Sequence, residues 1–302
     1  MYDIIIIGAG PAGLTAALYA RRAGKHVLLL EGNSYGGQIT LSPRVENYPG
    51  FAAISGTEFS DTLLSQVLAL DTETDFKVVT GLARCEGGYR VLCDDSELTA
   101  KSVIIAAGVH HRPLGVEREE ELVGAGISYC AVCDGAFYAG AKVAVVGGGN
   151  TALGDALQLA QSSETVYLIH RRSEFRGESG LVEKLREKEN VVFVTPAVVT
   201  ALHGENELEA VTLKNPQTGE TQELSVAGLF VAVGQIPQNE AFAALVECDE
   251  AGYILADEAM ATSAPGVFVA GDCRQKQVRQ LTTAVSDGAI AALSACSYVD
   301  TL

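Results

Sequence analysis

Basic residues are scarce in this chain of 302 residues. It has 21 lysine and arginine residues against 38 aspartate and glutamate residues, a formal net charge of −17 at pH 7. Proteins that bind nucleic acids depend mainly on a basic surface to hold the phosphates. The composition therefore argues against a nucleic-acid partner. Any site for a phosphorylated ligand must be a local group of cations in an acidic protein.

Long apolar runs and low-complexity segments are also missing. No run approaches the roughly 18 residues needed to cross a bilayer. The start of the chain, with residues 4–7 as its only apolar run, is too short and wrongly flanked for a signal peptide. Seven cysteines, an odd number, favour a reducing compartment over a secreted disulfide framework. We therefore expect a cytoplasmic protein with no membrane partner.

A glycine-rich loop follows the first apolar run. Residues 4–7 are four isoleucines, typical of a strand buried on both faces of a parallel sheet, and residues 14–22 read as a helix. Between them, residues 8–13 have the pattern G-x-G-x-x-G, which lets the backbone approach a pyrophosphate at a helix N-terminus. A second strand, residues 26–30, ends at Glu31, whose carboxylate is placed to accept hydrogen bonds from a ribose diol.

The same unit recurs later in the chain. Residues 141–146 read as a strand, residues 147–152 as a second glycine-rich loop and residues 153–161 as a helix. Another strand, residues 165–169, ends at His170. Glu31 lies 23 positions after the first glycine of its loop, and His170 lies 23 positions after the first glycine of the second loop. The two units therefore match in register as well as in motif.

The two copies differ in charge at the ribose position. Glu31 suits a free 2′-hydroxyl, whereas the second copy has His170, Arg171 and Arg172, with Arg176 a few residues further on. Arginine binds phosphate oxygens through a fork of N–H groups, so these cations suit a 2′-phosphate. The first copy predicts an FAD or NAD site and the second an NADP site. A glycine-rich turn that binds nothing, or a solvated helix start, is the alternative that the paired copies disfavour.

Cys130 and Cys133 form the only closely spaced thiol pair. A bond between them closes so small a ring that it adds little stability by restricting the unfolded chain. C-x-x-C pairs commonly lower the pKa of one thiol and cycle between oxidised and reduced forms. A zinc site would need a second ligand pair, for which the spacing of Cys85 and Cys93 is poor. The pattern predicts a redox pair and no metal; two inert buried thiols are the alternative.

An acid follows directly on the second cysteine. Cleaving a disulfide with two electrons requires a proton for the departing thiolate, and the carboxyl of Asp134 is placed to supply it. The alternative is that Asp134 is a turn or helix-cap residue next to Gly135.

The chain resembles the low-molecular-weight, bacterial-type NADPH-dependent thioredoxin reductases, class II of the pyridine nucleotide-disulfide oxidoreductases, over nearly its whole length. The order and spacing of seven short segments are together specific to that family. They are Gly8-Ala9-Gly10-Pro11-Ala12-Gly13, Gly36-Gly37-Gln38, Glu46-Asn47-Tyr48-Pro49-Gly50, Cys130-Ala131-Val132-Cys133-Asp134-Gly135, Gly147-Gly148-Gly149-Asn150-Thr151-Ala152, His170-Arg171-Arg172 with Arg176, and Gly271-Asp272 with Arg279-Gln280.

The resemblance implies an α/β protein of two Rossmann-like (three-layer ββα-type) dinucleotide-binding domains. The FAD-binding domain is discontinuous, residues 1–112 and 240–302, and the NADPH-binding domain, residues 113–239, is inserted into it and carries the redox pair. Residues 104–108 and 231–234 read as closing strands at the two joints. The family is also homodimeric, so we expect a homodimer.

The resemblance also implies the cofactor-binding residues. The expected FAD residues are Gly8, Gly10, Pro11, Ala12, Gly13, Glu31, Gly32, Gly37, Gln38, Asn47, Gly108, Gly271, Asp272, Arg279, Gln280 and Leu281. The expected NADPH residues are Gly147, Gly149, Asn150, Thr151, Ala152, His170, Arg171, Arg172 and Arg176.

The implied activity is NADPH-dependent reduction of the disulfide of thioredoxin. NADPH passes a hydride to FAD, the reduced flavin opens the disulfide through Cys133, and Asp134 donates the proton. Cys130 then attacks the thioredoxin disulfide by thiol exchange. The alternative is an NADPH–flavin disulfide reductase serving another redox carrier or a peroxidase system. A reductase of the glutathione type is disfavoured because residues 31–50 contain no cysteine, and a non-enzymatic NADP sensor leaves the thiol pair unexplained.

Three positions, Gly154, Asp155 and Cys273, depart from what is usual or expected. Gly154 and Asp155 stand where the family tends to carry paired acids, and a glycine inside a helix lowers its stability by ~1 kcal/mol. Cys273 is an extra thiol beside Asp272, which we interpret as a packing residue rather than a redox residue.

Overall fold

The computed structural model describes residues 1–302 and divides them into two units. One unit is Met1–His110 with Ile236–Leu302, and the other is His111–Gln235. The sequence predicts the joints a few residues later, after residues 112 and 239. Which cofactor each unit binds remains a prediction.

The chain contains seventeen strands and six α-helices. The strands are β1 (Tyr2–Ile7), β2 (Val27–Glu31), β3 (Glu73–Phe76), β4 (Val79–Cys85), β5 (Gly88–Cys93), β6 (Glu97–Ile105), β7 (Val109–His111), β8 (Ile127–Ser128), β9 (Lys142–Val146), β10 (Thr165–Ile169), β11 (Val191–Val194), β12 (Val198–His203), β13 (Ala210–Lys214), β14 (Thr221–Ser225), β15 (Gly228–Val231), β16 (Gln235–Pro237) and β17 (Val267–Val269). The helices are α1 (Pro11–Arg22), α2 (Gly56–Leu68), α3 (Ala131–Asp134), α4 (Asn150–Leu159), α5 (Ser179–Arg186) and α6 (Leu281–Asp300), with 3₁₀ turns at Gly37–Leu41, Gly135–Tyr138 and Gly271–Cys273.

The first unit is built on a seven-stranded sheet in the order β3-β2-β1-β6-β5-β4, with β17 also pairing β6. β1 lies parallel to both β2 and β6, so its isoleucines are covered on both faces. Ile4 and Ile6 pack on the face covered by α1 and α6. Ile5 and Ile7 pack on the other face, with β4 and β5 and with Phe242. A continuous apolar run is the pattern that such a doubly covered strand requires.

Helix α1 illustrates how local sequence sets an element's ends. Pro11 is its first residue, where a missing N–H costs nothing and a fixed φ favours the helix. Gly24, in the left-handed region at φ +76°, follows its C-terminus. The alanines on its buried face let α6 approach closely.

The second unit has three layers. A parallel five-stranded sheet in the order β11-β10-β9-β15-β8 forms the middle layer. Val143 and Val145 of β9 point to the layer of α4 and α5, whereas Ala144 and Val146 point to the antiparallel sheet β12-β13-β14. The α/β class predicted from the sequence is confirmed.

Both joints between the units fall in short strands. β7 and β16 pair with each other as a two-stranded sheet, and each crosses from one unit to the other. No helix of the chain is both long enough and apolar enough to span a membrane.

Candidate active site

The first glycine loop joins β1 to α1 and leaves no room for side chains. Gly8 has φ +103°, and a Cβ there would lie 2.3 Å from the carbonyl oxygen of Ala106. A Cβ on Gly13 would lie 1.8 Å from the oxygen of Gly8. Gly10, by contrast, has open space to 3.9 Å, and no side chain caps the N-terminus of α1. The loop is therefore closed on the protein side and open at a helix N-terminus, which suits a pyrophosphate.

The carboxylate of Glu31 is fixed beside this loop. One oxygen accepts a hydrogen bond from the Ala9 N–H at 2.8 Å, and the other accepts from the Asn33 N–H at 2.9 Å. Each oxygen keeps a lone pair for a further donor. The geometry fits a ribose diol at the end of β2.

Distant parts of the first unit converge on the same loop. The Gly36 N–H donates to the Ala9 oxygen at 2.8 Å, and a Cβ on Gly37 would lie 3.2 Å from the Cα of Gly10. A Cβ on Gly271 would lie 2.9 Å from the Cβ of Ala12. The fold therefore brings together residues that are about 260 positions apart in the sequence.

Other predicted FAD residues lie elsewhere on this unit. The Gln38 amide donates to the oxygen of Val109. The Asn47 amide donates to the Gln280 side chain at 3.3 Å. Three more positions follow the ends of strands or begin a helix: Gly32 after β2, Gly108 after β6, and Leu281 as the first residue of α6.

Arg279 is held by its own unit. Its guanidinium lies 4.0 Å from the centre of the Tyr253 ring, a cation–π contact, and its Nε donates to the backbone carbonyl oxygen of Asp272 at 3.2 Å. Tyr253 was not predicted from the sequence as a partner of Arg279.

A buried charged cluster surrounds Asp272. Asp287, 4% exposed, accepts hydrogen bonds from Arg274 and Lys276, each at 2.9 Å. Lys276 also lies 3.5 Å from an Asp272 oxygen, Oδ1, that is buried and has no hydrogen-bond partner. Burial raises the pKa of Asp272, and the charge of Lys276 opposes that rise. An unpartnered buried carboxylate oxygen fits a ligand hydroxyl, as a flavin ribityl chain would supply.

The second glycine loop joins β9 to α4 in the same manner. A Cβ on Gly147 would lie 2.4 Å from the oxygen of Ala232, whereas Gly149 has nothing within 4 Å. No side chain caps α4, whose first residues are Asn150, Thr151 and Ala152. This loop is also open at a helix N-terminus and fits a second phosphate-bearing nucleotide.

The segment that follows β10 is joined to the second loop by hydrogen bonds near Arg176. The Gly148 oxygen accepts hydrogen bonds from the N–H groups of Arg176, at 2.7 Å, and Gly177, at 3.0 Å. Arg171, Arg172 and Arg176 are exposed, and none of them forms an ion pair with a carboxylate of the chain. Three unpaired cations in an acidic protein fit the 2′-phosphate of NADPH.

His170 lies beneath the same loop. Its ring is 5% exposed and stacks on Phe175, with 5.2 Å between ring centres. A Cβ on Gly148 would lie 2.2 Å from its Cε1. Burial lowers the pKa of His170, and the charge of Arg176 adds to that effect. The neutral ring thus packs against Gly148 of the glycine loop, and a contact between His170 and NADPH remains a prediction.

Cys130 and Cys133 are joined by a disulfide bond, with their Cα atoms 5.3 Å apart. Cys130 directly precedes helix α3, and its Sγ accepts a hydrogen bond from the Cys133 N–H at 3.1 Å. The other five cysteines are free. Cys273 is fully buried, and burial raises the pKa of its thiol to about 11, which disfavours a thiolate.

Asp134 directly follows Cys133 and is a half-buried acid. Its Oδ2 accepts a hydrogen bond from the Ser128 hydroxyl at 2.6 Å, whereas its Oδ1 is buried with no partner. Burial raises the pKa of Asp134, and the Ser128 hydrogen bond opposes that rise. A raised pKa keeps the carboxyl protonated to higher pH, as a general acid requires. Ser128 was not predicted from the sequence, because a lone serine near the pair has no distinguishing pattern.

Residues 2–288 match the family model described as pyridine nucleotide-disulphide oxidoreductase. The thioredoxin reductase of Treponema pallidum is 40% identical over 302 residues, which is 100% of this chain and 98% of that protein. The thioredoxin reductase of Bacillus subtilis is 40% identical over 303 residues, which is 100% of this chain and 96% of that protein.

Solved structures are similar over the same length. The thioredoxin reductase of Streptococcus pyogenes has a TM-score of 0.96 and 39% identity, covering 100% of this chain and 99% of that one. The Lactococcus lactis thioredoxin reductase in its FR conformation has a TM-score of 0.70 and 40% identity, covering 100% of both chains.

Proposed function

Because this chain belongs to the pyridine nucleotide-disulphide oxidoreductase family, we propose that it is an NADPH-dependent thioredoxin reductase. The observation that carries the proposal is the Cys130–Cys133 disulfide in a chain with two nucleotide-type glycine loops. Relatives named thioredoxin reductase, about 40% identical over the full chain, support thioredoxin as the acceptor.

The unit Met1–His110 with Ile236–Leu302 is proposed to bind FAD, and the unit His111–Gln235 to bind NADPH. Glu31, beside the first loop, and the unpartnered oxygen of Asp272 support the first assignment. The unpaired arginines beside the second loop support the other. FAD, when bound, relays the electron pair of NADPH to the disulfide.

The cysteines and Asp134 perform the thiol chemistry. An electron pair breaks the Sγ–Sγ bond and yields two thiolates, one of which takes a proton from Asp134. Cys130, whose sulfur accepts the Cys133 N–H, attacks the thioredoxin disulfide and forms a mixed disulfide. Cys133 then attacks the Cys130 sulfur, which restores the original bond and releases the thioredoxin as a dithiol.

The resemblance also supports a homodimer in the cytoplasm as part of the proposal. Light scattering on the purified holoprotein measures the oligomeric state, and a monomeric mass would contradict the homodimer.

The test is an anaerobic NADPH titration followed by presentation of oxidised thioredoxin. We expect a yellow protein, and we expect NADPH to reduce its flavin. Adding oxidised thioredoxin should then reoxidise the flavin and produce thioredoxin thiols. Cys130→Ser should abolish thioredoxin reduction but preserve flavin reduction. Cys85→Ser, at a free cysteine, is the matched control and should change neither.

Two outcomes would contradict the proposal. Unchanged thioredoxin reduction by Cys130→Ser would remove the exchange role of that cysteine. Efficient reduction of another carrier or a peroxidase, with thioredoxin left oxidised, would favour the alternative acceptor class.

A further inference from the structure

Ser128 connects the redox pair to the neighbouring acid. It is the last residue of β8, is 4% exposed, and pairs in register with Phe230 of β15 in the parallel sheet. Its hydroxyl contacts both Asp134 and the backbone of Cys130. The serine is therefore a rigid group between the carboxyl and the disulfide.

The hydrogen bonds determine where the serine proton points. The Cys130 N–H donates to the Ser128 oxygen at 3.0 Å, so the hydroxyl acts there as an acceptor. Its single proton has two possible acceptors, Asp134 Oδ2 at 2.6 Å and the Cys130 carbonyl oxygen at 3.4 Å. A distance of 2.6 Å is typical of a strong O–H···O bond to a carboxyl, and 3.4 Å exceeds the normal range. The proton therefore points to Oδ2.

The other carboxyl oxygen is then the one that can carry the acid proton. Oδ1 is buried and has no hydrogen-bond partner. A proton on Oδ2 would face the serine proton, whereas a proton on Oδ1 meets no competing donor. From these hydrogen bonds we propose that Ser128 is a positioning residue that keeps the transferable proton of Asp134 on Oδ1.

The inference rests on the proposed function and specifies one of its steps. The electron pair that a bound flavin would supply converts the Cys130–Cys133 bond into two thiolates. One thiolate takes the proton from Asp134 Oδ1, which leaves one thiol, one thiolate and a carboxylate. The carboxylate then takes a proton from solvent. Ser128 exchanges no proton in this sequence, because its own proton stays in the bond to Oδ2.

No charged side chain interferes with this arrangement. Burial and the Ser128 hydrogen bond are the influences on the pKa of Asp134. Burial raises the pKa of the neighbouring Tyr138, and the charges of Asp134 and Glu207 raise it further. Glu207 does not act on the pKa of Asp134 itself. Tyr138 therefore stays neutral while Asp134 titrates.

The experiment follows the Asp134 carboxyl by infrared difference spectroscopy during a pH titration of the oxidised holoprotein. Asp134→Asn removes the band and so assigns it. We expect Ser128→Ala to move the titration midpoint to higher pH, because the carboxylate loses its hydrogen bond. Ser128→Thr, which keeps the hydroxyl, should restore the midpoint. Ser102→Ala is the matched control, since that buried serine donates to the Gly266 oxygen at 2.8 Å in the other unit.

A kinetic measurement complements the titration. In a single turnover, Ser128→Ala should slow the opening of the disulfide by about tenfold, a fraction of the full contribution of a general acid. Reduction of the flavin by NADPH should keep its rate. Loss of both rates would indicate general damage and would overturn the positioning role.

The wild-type spectrum tests the inference without any variant. With the proton on Oδ1, the C=O group is Oδ2 and its stretch is that of a hydrogen-bonded carbonyl. A stretch typical of a free carbonyl, or an unchanged midpoint in Ser128→Ala, would overturn the proposal. If NADPH fails to reduce the disulfide of the wild-type protein, the proposed function fails, and the infrared results still decide the position of the proton.

Discussion

Replacing Arg171 and Arg172 by alanine should weaken the binding of NADPH much more than the binding of NADH. Both guanidiniums are exposed and without an acidic partner in the chain, so they are available to a 2′-phosphate. A charge-assisted hydrogen bond contributes ~1.5 kcal/mol at the low end of its range, which applies to exposed groups. Two such contacts amount to ~3 kcal/mol, or about a hundredfold in affinity.

NADH lacks the phosphate, so its binding should change by no more than about threefold. The assay is stopped-flow reduction of the flavin over a range of NADPH and NADH concentrations, which measures each dissociation constant before turnover. The wild-type affinity for NADPH should also fall with added salt, because exposed charges are screened. Arg186→Ala, an exposed arginine of the same unit at the end of α5, is the matched control.

An equal loss of affinity for both nucleotides would refute the reasoning. The arginines would then act on the shared part of the ligand or on the fold. An unchanged NADPH affinity would indicate that the 2′-phosphate binds to Arg176 or to another part of the second unit.

Three further predictions concern stability and flavin binding. Gly154→Ala should stabilise the protein by ~0.5–1 kcal/mol in urea unfolding, because a Cβ there meets nothing within 4 Å, whereas Gly148→Ala should destabilise it by clashing with the His170 ring. Burial raises the pKa of Asp155 to about 6, so the stability that its protonated form contributes is lost as pH rises through that value. Asp155→Asn should therefore raise the midpoint of urea unfolding at pH 8 and leave it unchanged at pH 4. An equal rise of the midpoint at both pH values would contradict the raised pKa of Asp155. Lys276→Met should lower FAD affinity about tenfold, measured by flavin fluorescence on release, because the pKa of Asp272 then rises further; unchanged affinity would show that Lys276 is only structural.

The sequence was sufficient to predict the elements that bear strong local patterns. The apolar run of β1, the two glycine loops in the same register and the disulfide are confirmed, as is the resemblance to thioredoxin reductases. Helices α1 and α4 each begin three residues earlier than predicted, at Pro11 and Asn150. In each case the last residues of the loop already form the first helical turn, because a proline or an asparagine there is compatible with helical φ. The loop and the helix N-terminus are therefore one structure.

The contacts that refine the site could not be predicted from spacing. Arg274 and Lys276 meet Asp287 only because the 3₁₀ turn after β17 lies beside α6. One signal was available and not used: Asp287 is an acid within a helix that is otherwise apolar or small on its buried face. Ser128 had no such signal, since its role depends on the end of a two-residue strand.

The pairing of β7 with β16 has a consequence for how the chain could be re-engineered. The Arg112 N–H donates to the Gly234 oxygen at 3.0 Å, so the second unit begins and ends at one hydrogen-bonded ribbon. If the chain were cut in this ribbon, a short turn could join the two strand ends on either side of the cut. Because the entropy of closing a loop grows only with the logarithm of its length, the outer unit carries its long insertion at little thermodynamic disadvantage. A chain that joins residue 110 directly to residue 236 through such a turn would test whether the outer unit, Met1–His110 with Ile236–Leu302, folds without the inserted one.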